Sequence, residues 1–512
     1  MKKLPKILYI LSFTMILVLF CYFRLKPLYF QTVPYTYDQG RDFLKARQIV
    51  VEHHPALIGP TTGIPGVNHG VWWFYALTVP FILFGGAPIG FYYFTFLMVL
   101  AEATLFSLFL KREYGMIPSL IFLAMVTFAP YFIMISIFAI SSVLSPLMIL
   151  GFLYFLYKYW EKKEMKNLLL TGLFLGFLFE SEMAFGIFLI PAFIASLFIF
   201  RKQKNFFGSW KKFFYFAGGA VIPMIPRIVY EVKSKFSQTR LALSYFQQTS
   251  SSAKSYYNLF LERSHLITDF FRQTFSGDSL VLPVTTAIFI IGGIVCCIFY
   301  LKKIRREYFL FVVSLFILTF LLSLAYKSTF WQNYFEGLPY FFALFTALSA
   351  SAMLAAKKKA LTICVAVYIA ILSFYGLSSF TKEVKNIAPP KLEGLREQMY
   401  VAKKIYSLSK NRTVCVKVYT PPVIPYAYNY IFEYLHSAGY PERGEGYVNH
   451  TCYVIIEKED CLFRDIEIKE RLACEARIPN WKKINIPKGG HIESTLQIDD
   501  HVKIETWKNP SL

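Results

Sequence analysis

Two aspartates and an arginine lie close together just after the first apolar segment of the chain, in PYTYDQGRDFLKARQ. Asp38 and Asp42 are four residues apart, and Arg41 stands between them. Residues at positions i and i+4 share one face of a helix, so both carboxylates can point at one substrate. A positioned carboxylate is a general base, and a carboxylate pair is also a ligand set for a divalent metal. In the alternative, Asp38 only caps a helix, because negative charge is favourable in the first turn.

A second acidic pair, Glu180 and Glu182, interrupts the apolar stretch FLFESEMAFG. Charged residues at membrane depth are costly to bury, so they are functional candidates by default. The competing interpretation is a solvated turn between two membrane helices. We therefore expect Glu180 and Glu182 either to bind substrate or to mark such a turn.

The segment IPRIVYEVKSKFSQTR carries mixed charges at the end of an apolar block. Basic residues usually collect in the cytoplasmic loops of a membrane protein. If this segment lies on the opposite, exported side, its cations are suited to bind an anion such as a lipid phosphate. The alternative is that a long exported loop tolerates any charge. The binding candidates in this segment are Arg227, Glu231, Lys233 and Arg240.

A further segment, SLAYKSTFWQNYFEGLPY, combines aromatic, amide and charged side chains between two apolar blocks. Such side chains suit a sugar or a lipid head group, whereas the alternative is an ordinary aromatic belt at the membrane interface. The binding candidates here are Lys327, Asn333 and Tyr334.

The elements that must position these residues are membrane helices. The chain has 512 residues, of which 55% are hydrophobic and 17% charged, against about 25% charged in soluble proteins. The apolar residues form blocks long enough to cross a bilayer, which needs about 20 residues. The net charge of +22 resides in short loops between these blocks and forms no single basic face, so nucleic acid is rejected as a partner.

The basic loops predict the orientation of the chain. Lys2, Lys3 and Lys6 place the N-terminus in the cytoplasm, because basic residues stay on that side. All later basic loops fall inside as well if residues 70–85, with Trp72 and Trp73, form a helix in the outer interface rather than a span. The C-terminus is then exported. About eleven spans are expected, at roughly residues 7–24, 89–110, 116–134, 143–157, 168–182, 184–200, 213–229, 281–301, 308–326, 334–355 and 360–379.

This topology divides the chain into a transmembrane domain, residues 1–380, and an exported soluble tail, residues 381–512. Residues 26–87 and 230–280 form exported loops of the first domain. In the tail, VCVKVYT and TCYVIIE alternate as strands do, and the segment between them is helical in pattern. The tail is therefore expected to be a small α/β domain.

Four of the eight cysteines lie in the tail. An exported domain is an oxidising setting, so at least one disulfide is expected there. A disulfide from Cys461 to Cys474 or to Cys452 is the easiest to form. The alternative is that these thiols are reduced and buried. A zinc site is disfavoured because the tail has no CxxC pair.

Four segments together resemble the GT-C superfamily of membrane glycosyltransferases, particularly the relatives of protein mannosyltransferases and of aminoarabinose transferases in glycosyltransferase family 39. The most specific is YTYDQGRD, because that superfamily has a catalytic acidic residue in its first exported loop. GPTTGIPGVNHGVWWFYALTVPFILFGG resembles the family's glycine- and proline-containing segment before an interfacial helix. IPRIVYEVKSKFSQTR resembles a motif at the outer end of a membrane helix in bacterial members. YTPPVIPYAYNYIFEYL resembles part of the C-terminal domain of a bacterial subgroup.

The resemblance implies an α-helical GT-C fold and a polyprenyl-phosphate-linked sugar as donor, and it maps the catalytic acidic residue to Asp38. Many relatives space their acidic pair as Asp-x-Asp or Asp-Glu, whereas Asp38 and Asp42 are further apart. That difference leaves metal use and the role of Asp42 open. Some relatives also have His or Gln in place of Glu180 and Glu182. The chain contains no glycine-rich nucleotide motif, which agrees with a donor that is not a nucleotide.

We therefore expect an inverting glycosyltransferase in the plasma membrane that acts on its exported side, with a lipid, glycan or protein as acceptor. Asp38 is the expected general base, Asp42 is the second catalytic candidate, and Arg41 contributes to substrate binding. A polytopic transporter or a flippase for lipid-linked saccharides is the alternative. A transporter typically shows an internal repeat and midplane charges, which this sequence lacks. A structural sensor with an exported domain is a third interpretation.

Overall fold

The computed structural model describes most of the chain, and the following account concerns that part. The described residues are 4–200, 206–250, 255–275, 280–327, 330, 332–385, 392–421, 424–444, 446–458, 474, 476–486 and 489–509. They form two compact units. The membrane unit comprises Met1–Lys26, Pro55–Ala76 and Tyr92–Ala388, and the α/β unit comprises Pro27–His54, Leu77–Phe91 and Pro389–Leu512.

Seventeen helices precede residue 386 in the described part of the chain, and most are apolar all round. Three short 3-10 segments, Ser141–Val143, Ile222–Met224 and Gln332–Phe335, connect some of them. The helices are α1 Leu4–Phe30, α2 Tyr37–Val50, α3 Trp72–Leu83, α4 Pro88–Tyr114, α5 Met116–Phe128, α6 Pro130–Ser136, α7 Leu144–Lys162, α8 Met165–Ser181, α9 Met183–Ile199, α10 Trp210–Val221, α11 Ile225–Lys233, α12 Ser237–Ser250, α13 Tyr256–Phe275, α14 Val281–Tyr300, α15 Lys303–Ser323, α16 Leu338–Ala355 and α17 Lys359–Lys385.

Within the described residues, eight helical segments are long and apolar enough to span a membrane, and a ninth is added if the bent pair α5–α6 counts as one span. The two remaining expected spans coincide with α8 and α9, which have 17 residues each. The multi-pass membrane fold predicted from the apolar blocks is thus confirmed. By contrast, α3 has only 12 residues, or about 18 Å at 1.5 Å per residue. That length is too short to cross a bilayer and agrees with an interfacial helix.

The break between α5 and α6 bends this helix pair by 68°. Pro130 begins α6 and has no N–H to continue the helical ladder, so carbonyls at the end of α5 lose their partners. Arg24 of α1 takes the place of those partners: it is fully buried, and its guanidinium donates to the carbonyls of Val126 at 2.7 Å and Thr127 at 3.2 Å. Its Nε donates to the Ser136 hydroxyl at 2.7 Å. A charged residue in a membrane helix is therefore used to cap a helix break.

The C-terminal part of the α/β unit confirms the expected α/β domain. Among its described residues the strands are β1 Val414–Tyr419, β2 Arg443–Gly444, β3 Thr451–Glu457, β4 His491–Gln497 and β5 Val502–Lys508, and the helices are α18 Gly394–Leu408, α19 Tyr426–Ser437 and α20 Arg477–Asn485. The strand order is β2-β1-β3-β5-β4. β1 is parallel to β2 and β3, as expected when helix α19 connects β1 to the strands that follow it, and β5 is antiparallel to β3 and β4. The core beneath the sheet contains Tyr419, Val454, Ile456 and Trp481.

The expected disulfide in the tail is present, but one of the proposed pairings is wrong. Cys452 bonds to Cys415 and not to Cys461. The reason is the sheet register: β1 and β3 are neighbours, and both cysteines directly precede the Val416–Tyr453 pair. Cys474 is also disulfide-bonded, and Cys461 lies outside the described residues.

Candidate functional site

The acidic stretch after α1 forms the first turns of α2, in the α/β unit. Thr36 is the N-cap, and its backbone N–H and its hydroxyl both donate to Gln39 Oε1, at 2.8 and 2.6 Å. Asp38 is therefore not the capping residue, although its charge lies in the first turn where the helix dipole favours it. Because Thr36 and Gln39 already form the cap, the Asp38 carboxylate is not required for it.

Asp38, Arg41 and Asp42, called the α2 cluster from here on, are joined through the guanidinium of Arg41. Its Nη1 lies 3.0 Å from Asp38 Oδ1, and its Nη2 and Nε lie 2.8 and 2.9 Å from Asp42 Oδ1. The side chain of Asp42 is 1% exposed, that of Arg41 19% and that of Asp38 56%. Burial acts to lower the pKa of Arg41, but Asp42 and then Asp38 outweigh it, so this pKa is raised and the cation is permanent.

Helix α19 holds α2 in place. The Tyr35 hydroxyl, just ahead of α2, donates to the carbonyl of Ala427 at 3.1 Å, and the rings of Tyr37 and Tyr426 meet edge to face at 4.9 Å. The two helices touch at Gly40, where a methyl group would collide with the backbone of Tyr426 and Ala427. The α2 cluster is thus mounted on the α/β domain by close backbone contact and not on a free loop.

One oxygen of each aspartate in the α2 cluster, Oδ1, binds Arg41. Among the described residues there is no group of three or more His, Cys, Asp or Glu side chains that could hold a metal. The α2 cluster thus provides an accessible carboxylate on Asp38. Arg41 orients this carboxylate, and the buried carboxylate of Asp42 anchors Arg41.

In the membrane unit, Glu180 and Arg227 form a second site. Arg227 Nε donates to Glu180 Oε1 at 2.7 Å, and its Nη1 donates to the carbonyl of Asn68 at 2.9 Å. The backbone N–H of Gly70 donates to the carbonyl of Glu180 at 2.6 Å. The remaining nitrogen, Nη2 of Arg227, is buried and has no hydrogen-bond partner among the described residues. A donor in that state is suited to an anionic ligand.

Glu182 stands in the break between α8 and α9 and lines a neighbouring cavity of about 130 Å³. The loop of residues 61–69, closed by a bridge between Thr61 and Asn68, forms one wall, and Tyr334 contributes to another. His69 Nδ1 accepts from the backbone N–H of Met183 at 3.5 Å. The cavity therefore brings a carboxyl, an imidazole and hydroxyl groups together, as a hydroxyl-rich ligand requires.

Glu336, which lies ahead of the first residue of α16, is a buried acid close to Glu182. Tyr131 donates its hydroxyl to Glu336 Oε1 at 2.8 Å, which holds that carboxyl in place.

The other predicted binding residues lie elsewhere in the membrane unit. Glu231 is buried and accepts from the backbone N–H of Thr239 at 3.3 Å, so it ties α11 to α12. Lys233 and Arg240 are exposed. Lys327 lies over the Tyr256 ring at 5.5 Å. Asn333 belongs to the 3-10 segment before α16, and its side chain lies outside the described residues.

Two contributors to these sites, Asn68 and His69, were missed by sequence reasoning. Both stand in the segment GPTTGIPGVNHGVWW, of which only the glycines and prolines were interpreted. Consecutive polar residues ahead of an interfacial helix were the available signal. Glu336 was visible as an acid next to an apolar block, but its partner Tyr131 is 205 residues away.

The helices of the membrane unit and the small C-terminal sheet make this chain a multi-pass membrane protein with the GT-C fold. Among solved structures it is similar to ArnT from Cupriavidus metallidurans bound to undecaprenyl phosphate, with 10% identity, 97% of both chains covered and a TM-score of 0.57. For the apo state of the same ArnT the identity is 9%, the coverage 97% of both chains and the TM-score 0.58. The expected GT-C fold is thereby confirmed.

A weaker match is the Archaeoglobus fulgidus oligosaccharyltransferase in complex with Zn and sulfate. The identity is 11% and the TM-score 0.44, with 83% of this chain and 61% of that chain covered. No family model matches the sequence, and no curated protein sequence matches it.

Proposed function

We propose that this protein is an integral-membrane glycosyltransferase that transfers a sugar from a polyprenyl-phosphate-linked donor to an acceptor on the exported side of the membrane. The observation that carries the proposal is the α2 cluster, in which Asp38 is accessible while Arg41 and buried Asp42 fix its direction. The GT-C fold supports it, as does the undecaprenyl phosphate bound by the structurally similar ArnT.

In the proposed reaction, the Asp38 carboxylate accepts the proton of an acceptor hydroxyl. The freed oxygen forms a bond to the anomeric carbon while the bond from that carbon to the phosphate oxygen breaks, with inversion. The phosphate leaves with the electron pair. A general base typically contributes about 10²–10⁴-fold in rate. Arg41 keeps the carboxylate oriented, and Asp42 anchors Arg41.

The leaving phosphate gains negative charge, which a cation must stabilise. Within the membrane unit, Arg227 is suited to an anion, because its Nη2 is buried without a partner among the described residues while its other nitrogens are fixed. Lys233, Arg240 and Lys327 remain candidates for attracting the phosphate. The cavity lined by Glu182 and Tyr334 is the proposed place for the hydroxyl groups of a ligand.

The proposed orientation has the N-terminus in the cytoplasm and the C-terminus exported from the plasma membrane. The disulfide between Cys415 and Cys452 supports it, because structural disulfides persist in oxidising compartments and are rare in the cytosol. Both cysteines belong to the α/β unit, as does the α2 cluster.

The test uses purified full-length protein and a polyprenyl-phosphate sugar with a labelled sugar. We expect sugar transfer or slow hydrolysis, and we expect Asp38→Asn to lower kcat/KM by about 10²–10⁴-fold without changing Tm, because Asp38 is exposed. Glu52→Gln is the matched control: it removes an exposed carboxylate just beyond the end of α2 that pairs with Arg47 at 2.6 Å. Full activity of Asp38→Asn would refute the assigned base. Movement of the intact lipid-linked sugar across the membrane without turnover would instead indicate a flippase.

A further inference from the structure

A groove on the membrane unit, separate from the sites above, runs between α4, α7 and α8. Its volume is about 450 Å³, and its walls are almost entirely apolar and aromatic. Leu105 and Leu108 on its rim are 67% and 43% exposed, so the groove opens sideways at the surface of α4, a membrane helix. A cavity in that position is accessible to lipid chains rather than to solutes from water.

The shape of the groove depends on Gly151 of α7. A methyl group at this position would collide with the ring of Phe174, so the glycine lets α8 bring that ring close to α7. Phe155 meets the same ring at 5.3 Å, and Phe109 meets Tyr154 at 5.1 Å. The aromatic rings leave an apolar slot between the charged ends of the groove.

The two ends of the groove differ in charge. Glu102 lines one end and Arg112 the other, and their separation of ten positions corresponds to about 15 Å along α4. The Arg112 side chain is 72% exposed, and its contact to Glu113, at 3.5 Å, is long. Lys158 also lines the basic end, but its ammonium is committed to Glu113 at 2.6 Å and Glu161 at 3.1 Å. Arg112 is thus the lining cation that is available to a ligand.

We propose that this groove is a binding site for an anionic phospholipid, with one acyl chain in the apolar slot and the head-group phosphate on Arg112. The positive charge at the basic end favours an anionic head group, and the apolar walls favour an acyl chain. In the expected topology the basic end faces the cytoplasm, where the membrane surface is negatively charged. The inference does not depend on the glycosyltransferase activity proposed above.

The experiment measures lipid retention by the delipidated full-length protein in neutral detergent with native mass spectrometry. The probes are dioleoylphosphatidylglycerol and dioleoylphosphatidylcholine. We expect one phosphatidylglycerol to be retained more tightly than phosphatidylcholine, and Arg112→Gln to weaken its retention by about fivefold. Leu147→Trp, which fills the slot, should weaken the retention of both lipids.

Lys111→Gln is the matched control, because it removes the same charge from the adjacent residue. The Lys111 ammonium lies over the Tyr9 ring at 4.2 Å, and Lys111 does not line the groove. Equal losses in Lys111→Gln and Arg112→Gln would overturn the proposal in favour of a diffuse surface potential. Equal retention of the two lipids by the wild type would also overturn it, as would tighter retention of decaprenyl phosphate than of phosphatidylglycerol.

Discussion

Asp38 and Asp42 have the same chemistry, and the structure separates them by burial. Asp42 is buried and binds two nitrogens of Arg41, whereas Asp38 is mostly exposed and binds one. The sequence hypothesis treated both as catalytic. The geometry supports Asp38 as the proposed base and Asp42 as a positioning residue that acts through Arg41.

This difference predicts distinct phenotypes for the two aspartates. Asp42→Asn should lower the free energy of unfolding by about 1.5–3 kcal/mol, since it removes charge-assisted hydrogen bonds to a mostly buried guanidinium. It should also lower kcat/KM, because Arg41 loses its anchor. Thermal unfolding and steady-state kinetics of the same preparation measure both effects. A variant with normal Tm and no activity would show that Asp42 itself takes part in the chemistry.

At the scale of elements, the contact between α2 and α19 decides where the α2 cluster lies. Gly40 permits the close approach of the two helices, and Phe43 of α2 stacks on Phe91 at 3.8 Å. Both helices belong to the α/β unit, so the acidic stretch behaves as part of the folded domain.

We expect Gly40→Ala to lower the stability of the full-length protein by about 1–3 kcal/mol, since overpacking displaces α2 from α19. Activity should fall with it. Gly218→Ala in α10 is the matched control, because a methyl group there meets nothing within 4 Å. That change should raise stability slightly, as alanine is favoured over glycine inside helices by about 0.5–1 kcal/mol. Thermal shift measurements compare the two, and similar behaviour of both variants would contradict the role given to Gly40.

Much of this architecture was predictable from the sequence. The apolar blocks gave the membrane helices, and the alternation in VCVKVYT and TCYVIIE gave β1 and β3. Strand β4 was not expected because its side chains are mostly exposed and show no alternation. Pairings such as Glu180 with Arg227, 47 residues apart, depend on helix packing that local patterns do not contain. The sequence therefore indicates which polar residues are candidates, but it does not show which residues of different helices come into contact.

At the scale of the whole molecule, partly buried acids couple stability to pH. Burial and then Asp499 raise the pKa of Glu397, on α18, to about 8, from its ordinary value of 4.5. Asp499 accepts from the backbone N–H groups of His501 and Val502, both at 2.7 Å, which favours its charged form. The proton therefore resides on Glu397. Glu457, which is partly buried, has a raised pKa for the same main reason.

The sign of the effect follows from proton binding. Between pH 4.5 and about 8 the folded state holds a proton on Glu397 that the unfolded state releases, so stability falls as pH rises through this window. Glu397→Gln should flatten the decline of Tm across it. Glu442→Gln, which removes an exposed carboxylate of the same unit, should leave the slope unchanged. If the wild type and Glu397→Gln decline in parallel, the proton is not on Glu397.

The helix break capped by Arg24 has a consequence for the biogenesis of the protein. Arg24 is synthesised as part of the first helix, but its hydrogen-bond acceptors on Val126 and Ser136 follow 102 and 112 residues later in the chain. At a synthesis rate of about 5–20 residues per second, α1 waits about 5–20 s before its partners exist. During that interval the nascent chain holds an arginine in a membrane helix without these partners, and such a charge is costly in the hydrocarbon region. The first helix is thus expected to stay close to the insertion machinery until α5 and α6 have been synthesised.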